Sequence, residues 1–269
     1  MDLQNKTVVL TGATGGIGQA VAQLLEQRGA NLVLVARHQQ ALETLRESLK
    51  RPESHAVCAA DVTDGEQREN LLHFLRYGLD DHGIDVVINN AGTNQFSLLS
   101  QRSPSSVEHE IALNLNAPIL LTQGMLSWIN RPGIILNIGS TLGAIGYPGY
   151  STYCAAKSGV QRFSEALDRE LDGSGIRVLF LAPRTTDTRL NNDAVQEMNR
   201  ALGNHSDSVD VVAKHVVKVI EDEIASLWIG WPEKLFVRIN QLVPNVVSKS
   251  IRKQQATIHQ FISNRKKHV

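Results

Sequence analysis

The 269-residue chain has little of what would place it outside the ordinary globular classes. No apolar stretch approaches the roughly 20 residues that span a bilayer. The first residues, Met1-Asp2-Leu3-Gln4-Asn5-Lys6, lack the charged-then-apolar layout of a signal peptide. Only two cysteines are present, Cys58 and Cys154, far apart and without metal-ligand spacing, which fits a reducing cytoplasm. The nine histidines include no H-E-x-x-H pair, and G-x-S-x-G is absent, so neither a metal enzyme nor a nucleophilic hydrolase finds support. Net charge is zero, and no nucleic-acid partner is expected. Hydrophobic residues make up 42%, which argues against both disorder and a membrane-embedded chain.

What charge there is lies unevenly. From Ile224 onward Lys234, Arg238, Lys249, Arg252, Lys253, Arg265, Lys266 and Lys267 stand against Glu233 alone, a surplus of +7. The first 223 residues therefore carry −7, with 19 basic against 26 acidic groups. The basic end is a separate feature.

The first 180 residues alternate short β-branched runs with longer amphipathic stretches. Candidate strands are Thr7–Leu10, Asn31–Val35, His55–Ala59, Val86–Ile88, Ile134–Ile138 and Arg177–Leu181, with a last one at Leu227–Ile229. Helical patterns lie between them, as at Ile17–Arg28, Gln39–Lys50 and Glu66–Leu79, and another follows at Val209–Glu223. Strict alternation implies an α/β fold with a parallel sheet, right-handed crossovers and helices on both faces. With no repeat or linker, one domain is the economical reading.

After the first strand comes Thr11-Gly12-Ala13-Thr14-Gly15-Gly16-Ile17-Gly18, running straight into a helix. Glycines here allow a tight turn and close approach of backbone to a pyrophosphate, and the helix N-terminus offers N–H groups to the phosphates. The second strand ends in Ala36-Arg37-His38 rather than in the acid that would meet a ribose 2′-hydroxyl. A guanidinium without a repelling carboxylate favours NADP(H) over NAD(H); the alternative is a solvated surface arginine. Asp61-Val62 after the third strand and Asn89-Asn90-Ala91-Gly92 after the fourth sit at the same sheet edge. The first offers a carboxylate to an adenine amino group, the second small residues where a cofactor must pass.

Tyr153 and Lys157 are four apart in Tyr-Cys-Ala-Ala-Lys, so on a helix they share a face. A cation held against a phenol favours the phenolate and makes it a usable acid or base near neutral pH. Ser140 follows the buried run Ile134–Ile138 and can hold a carbonyl oxygen for protonation. With four tyrosines, such a pair arises by chance about one time in four, so what precedes it must decide.

Thr11–Gly18, Asn89–Gly92, Ser140 and Tyr153/Lys157, in that order and spacing, resemble the short-chain dehydrogenase/reductase family in its short single-domain form, over roughly residues 5–230. The resemblance implies a Rossmann-like doubly wound sheet of about seven strands, order 3-2-1-4-5-6-7. It implies an NADP-binding catalytic domain over 1–230 with a substrate lobe over about 184–207, which leaves 231–269 as a basic amphipathic extension. It makes Tyr153 the acid/base, Lys157 the residue that lowers its pKa and binds the nicotinamide ribose, and Ser140 the partner of the substrate oxygen. Asn114 would hold a water leading from Lys157 toward solvent. Thr11, Gly12, Thr14, Gly16, Ile17 and Gly18 would serve the pyrophosphate. Asp61, Val62, Asn89, Ala91 and Gly92 would line the adenosine side, and Pro183 and Thr188 would seat the nicotinamide carboxamide. A cytoplasmic homodimer or homotetramer is expected. Arg184 departs from the family, which has glycine there: either the turn differs or Arg184 faces the site mouth or a phosphate.

The expected reaction is reduction of a carbonyl, or the reverse, on a small-molecule substrate that is a lipophilic ketone or a 3-oxoacyl-type compound. The rival is a non-catalytic NADP(H)-binding sensor or scaffold. In the tail, Leu235, Phe236, Ile239, Leu242 and Val243 make one apolar face, continued by Val246, Val247, Ile251, Ile258, Phe261 and Ile262. It either packs on the domain or a second subunit, or forms an interfacial helix pair against an acidic membrane or over a lipophilic pocket.

Overall fold

A computed structural model describes residues 1–79, 83–188, 190–191 and 193–264 of the chain. Of the basic tail residues, Arg265, Lys266 and Lys267 lie outside them. The order is β1 (Thr7–Thr11), α1 (Gly16–Gln27), β2 (Asn31–Ala36), α2 (Gln39–Ser48), β3 (Ala56–Ala59), α3 (Gly65–Tyr77), β4 (Val86–Asn89), α4 (Pro104–Ile111), α5 (Ala117–Met125), β5 (Gly133–Ile138), α6 (Ser151–Glu170), β6 (Ile176–Ala182), α7 (Asp193–Ala201), α8 (Val209–Glu221) and β7 (Ser226–Trp228). Three more helices follow: α9 (Glu233–Leu242), α10 (Pro244–Lys253) and α11 (Gln255–Asn264).

The strands form one parallel sheet in the order β3-β2-β1-β4-β5-β6-β7, as the family resemblance implies. Side chains alternate across a strand, and here both faces are apolar because both are covered. Val8 and Leu10 of β1 point into one layer with Val21 and Leu25 of α1 and Val212, Val216 and Ile220 of α8. Val9 points into the other, with Leu71 and Leu75 of α3, Leu121 and Met125 of α5, and Leu167 of α6. The third strand is one residue shorter at its start than expected, because His55 turns its ring to accept from Leu32 N at 3.1 Å.

Strand order reverses on either side of β1, which lies between β2 and β4. A crevice opens outside the carboxyl ends of the strands at such a switch point. The ends of β1, β2, β3, β4, β5 and β6 therefore bring the glycine turn, Arg37, Asp61, Asn90, Ser140 and Pro183 to a single edge. A polar link crosses the core just below it. Asn89 Nδ2 donates to Asn137 Oδ1 (2.8 Å) and Thr122 Oγ1 (3.3 Å), and Asn137 Nδ2 to Ser164 Oγ (2.8 Å), joining β4, β5, α5 and α6.

The tail does not present one continuous face. Elbows at Val243 and Gln254 reorient the chain twice. Val237 and Val247 are buried, and Ile258 and Ile262 of α11 pack on Val195 and Met198 of α7 and on Phe96, Tyr150 and Cys154. Leu235, Phe236, Leu242, Val243 and Val246 remain exposed.

Because the Asn89–Asn137–Ser164 link is buried, Asn137→Ala removes one hydrogen bond from each of Asn89 and Ser164, leaving them only Thr122 Oγ1 and Val160 O as partners. It should cost about 1–3 kcal/mol, seen as a lower midpoint in urea with an unchanged slope; an unchanged midpoint would show that the link contributes nothing.

Candidate active site

β5 ends at Ile138, and Ser140 opens a single tight turn, Thr141–Gly143, by accepting from Leu142 N at 3.2 Å. A Cβ on Gly143 would fall 2.9 Å from the backbone carbon and oxygen of Lys157, so glycine is what lets this turn lie directly on α6. Tyr153 and Lys157 occupy the first two turns of that helix and face the strand end. Lys157 is buried. Its Nζ donates to Ile138 O at 2.9 Å and lies 5.8 Å from the centroid of the Tyr153 ring.

Burial pushes the Tyr153 phenol up to about 12, with the Ser140 hydroxyl acting in the opposite direction and smaller upward contributions from Cys154 and Glu110. Burial also lowers the Lys157 ammonium to about 8. The rise comes from loss of water around the hydroxyl, which outweighs the Ser140 hydrogen bond. A phenol in this state keeps its proton at neutral pH and suits an acid, the role needed to protonate an oxygen.

Asn114 sits on a π-type turn, Ala112–Asn116, that inserts extra backbone between α4 and α5. Its Nδ2 donates to Thr93 O (2.8 Å) and Glu110 O (2.9 Å), and its Oδ1 accepts from Thr93 N (3.3 Å). A Cβ on Gly92 would meet Asn114 Oδ1 at 2.9 Å and Lys157 Nζ at 3.7 Å, so these three positions converge. Behind them Glu110 is paired with Arg102, both nearly fully buried, and accepts from Gln95 N at 2.9 Å.

The glycine turn is held from β4. Thr11 Oγ1 accepts from Asn90 N (3.0 Å) and Ala91 N (3.1 Å), and Asn90 Nδ2 donates to the carbonyls of Thr11 (3.0 Å) and Gly12 (3.2 Å). Gly12 has φ +64, and a Cβ there would lie 2.8 Å from Ala91 Cα. The helix that follows has no side-chain cap on its N-terminus. From here a groove of ≈ 640 Å³ runs past Thr14, Gly16, Ile17 and Gly18 to Arg37, Asp61 and Val62. Arg37 is exposed at its end and in no ion pair among the described residues. Burial would raise the Asp61 carboxyl, but hydrogen bonds from Thr63 and the charges of Arg37 and His109 hold it below its ordinary value. A bare glycine cradle, an uncapped helix N-terminus and a guanidinium at the far end fit a dinucleotide phosphate chain.

A second cavity holds Ser140, Tyr153, Lys157, Asn114 and Pro183, walled by Leu142, Tyr147, Tyr150, Val195 and Met198. It is continuous with the groove, since Ile17, Asn90, Gly92, Thr93, Thr188 and Leu190 line both. Thr188 bridges the two: a Cβ on Gly16 would lie 3.2 Å from its methyl. Ala91 lines the groove as well.

Two expected site residues, Thr11 and Asn89, line neither opening: Thr11 is buried beneath the turn, its hydroxyl taken by Asn90 N and Ala91 N. The Asn89 amide is turned into the core link, while its neighbour Asn90, absent from the expected set, clamps the turn. At a strand end successive side chains point oppositely, so one asparagine of the pair must face inward; only the register tells which. Arg184 lines the second cavity and has an ordinary negative φ, so the turn does not need glycine. It pairs bidentately with Asp207 (Nε–Oδ2 3.0 Å, Nη2–Oδ1 2.7 Å) and donates to Trp231 O (3.1 Å), tying the end of β6 to the start of α8 and to the tail.

A model of the short chain dehydrogenases matches residues 6–199. Among curated proteins, the chain is 36% identical over 183 residues to a 3-oxoacyl-(acyl-carrier-protein) reductase FabG of Haemophilus influenzae, covering 67% of this chain and 74% of that one. It is 33% identical over 210 residues to the FabG of Chlamydia trachomatis, covering 75% and 81%. Among solved structures, a short-chain dehydrogenase of Sphingobium yanoikuyae in complex with NADPH superposes with TM-score 0.73 at 28% identity, covering 92% of this chain and 95% of that one. One from Burkholderia phymatum in complex with NAD gives TM-score 0.79 at 20% identity, covering 91% and 96%, a likeness of fold alone. With the sheet order, the glycine cradle and the Ser140–Tyr153–Lys157 cluster already in place, these matches make the chain a member of the short-chain dehydrogenase/reductase family, an oxidoreductase of NAD(P)(H).

Proposed function

We propose that the protein is an NADP(H)-dependent carbonyl reductase acting on a lipophilic ketone or a 3-oxoacyl-type substrate. The observation that carries this reading is the continuity of the glycine groove with the cavity in which Ser140, Tyr153 and Lys157 meet. When bound, the reduced nicotinamide supplies a hydride to the carbonyl carbon. The chain does the rest. Ser140 hydrogen-bonds the substrate oxygen, and Tyr153 gives its phenolic proton to that oxygen as charge builds there. The ammonium of Lys157 steadies the phenolate left behind, and Asn114 lies beside Lys157 to hold a water through which the proton is replaced.

NADP(H) is favoured by Arg37, whose exposed guanidinium lines the far end of the groove, while the Asp61 carboxylate in the same groove is engaged with Thr63. The substrate class is favoured by aromatic and aliphatic walls around a polar centre, and by the names of the relatives, which reduce 3-oxoacyl groups. The segment 184–207 would be the substrate lobe, since α7 supplies Val195 and Met198 to the wall. A cytoplasmic setting fits two free cysteines, one half-buried and one buried. No helix among the described residues is long and apolar enough to cross a membrane.

Replacing Tyr153 by Phe should lower kcat/KM for ketone reduction by about 10²–10⁴-fold while leaving NADPH binding, read by fluorescence titration, unchanged; activity close to that of the parent would remove Tyr153 from the reaction. Arg37→Glu should cost NADPH about tenfold or more in kcat/KM, as expected for loss of a charge-assisted pair, with NADH use kept. Equal losses for both cofactors would place Arg37 outside phosphate recognition. The pH profile has a definite sign. Reduction needs the phenol protonated and the ammonium charged, and the phenol stays protonated up to about 12. Reductive kcat/KM should therefore hold near neutrality and fall as Lys157 loses its proton around pH 8; a rate that climbs above that pH would contradict the assignment.

A further inference from the structure

Among the described residues of the tail, the exposed large apolar side chains are Trp231, those on α9 and α10, and Val243 between the two helices. Leu242 is 82% exposed, Val246 59% and Val243 50%, all at the elbow between the two helices, with Leu235 and Phe236 exposed about two turns back. Soluble proteins seldom leave so many large apolar side chains together without a partner. The two helices also carry Lys234, Arg238, Lys249, Arg252 and Lys253, all exposed and none in an ion pair among the described residues. Glu233 is the only acid in the sequence from Ile224 to the end.

We propose that the α9–α10 elbow docks on an anionic lipid surface, with Leu242, Val243 and Val246 entering the interface and the five basic groups meeting headgroups. This is the pattern of an interfacial helix: apolar residues buried shallowly, lysine and arginine at headgroup depth. A second copy of the chain is a poorer occupant. A two-fold contact through this face would set five uncompensated cations against the same five. An acidic protein would satisfy the charge but gives no reason for three aliphatic side chains to project at a helix elbow.

The elbow is joined to the site. Asn240 Nδ2 of α9 donates to Ala144 O at 2.8 Å, immediately after the turn that Ser140 opens, and Arg184 of the cavity wall holds Trp231 O. Trp231, which precedes α9, is 68% exposed. Docking would therefore engage a helix that is bonded directly to the turn Ser140 opens. The docking itself does not depend on the proposed reaction.

Full-length protein is sedimented with vesicles of phosphatidylcholine alone and of phosphatidylcholine with phosphatidylglycerol. Binding to the second only, weakening as salt is raised, is expected. Lys249→Gln with Arg252→Gln should weaken it about thirtyfold, each basic group near an anionic surface being worth about fivefold. Leu242→Glu with Val246→Glu should abolish it, with the melting temperature and NADPH binding kept as checks that the protein is folded. No binding to anionic vesicles, or binding that survives the glutamate pair, overturns the proposal. A glutamate pair that alters only the oligomeric state in sedimentation velocity overturns it in favour of a self-interface. Saturable binding of an acidic carrier protein, lost in the glutamine pair while vesicles are never bound, overturns it in favour of a protein partner.

Discussion

Lys157 carries its ammonium into a place that is 6% exposed, where a charge is costly unless its donors are met and its surroundings are rigid. One donor is fixed on Ile138 O, the last residue of a strand buried along its whole length. That bond ties α6 to the end of β5 and so sets where Tyr153 and Ser140 can stand. Gly143 allows the contact by having no side chain, and the Asn137–Ser164 bond repeats the tie two turns further along the helix. The Asn114 turn and Gly92 close the other side. A site built this way is held by backbone of the sheet rather than by loops, which suits a proton donor that must meet its target to within a fraction of an ångström.

The same sheet edge supplies the groove. Parallel strands end together, so the glycine turn, the Arg37 position and the Ser140 position are brought side by side although they are far apart in the chain. Asn90 and Thr11 stitch β1 to β4 at the switch point, which keeps the groove continuous with the cavity. α11 then packs behind the cavity wall through Ile258 and Ile262, so the segment that would hold substrate is backed by the tail.

Much of this was legible in the residues. Uninterrupted apolar runs such as Leu32–Val35 and the strict alternation of patterns gave the parallel sheet, because a strand covered on both faces leaves no ambiguity about burial. The i, i+4 spacing of Tyr153 and Lys157 gave a shared face, because helix geometry does. What depends on partners distant in sequence was not legible. Which of Asn89 and Asn90 faces the turn depends on register with β5. Arg184 finds Asp207 and Trp231 only once the chain has folded back. The rise of the phenol follows from burial, which no spacing reports. In the tail, the apolar pattern ran on through Pro244 and Gln254, but the elbows there sent its parts to different neighbours, α11 onto the domain and α9–α10 outward.

The central claim is that the cluster around Lys157 delivers a proton to an oxygen while a hydride reaches the adjoining carbon. NADPH deuterated at the transferred position of C4, incubated with a panel of lipophilic ketones and 3-oxoacyl thioesters, tests it most directly. The account predicts one deuterium at the new carbinol carbon for each NADPH consumed, with a primary isotope effect on turnover. Tight NADPH binding with no deuterium in any product would contradict it and leave a nucleotide-binding protein without this reaction.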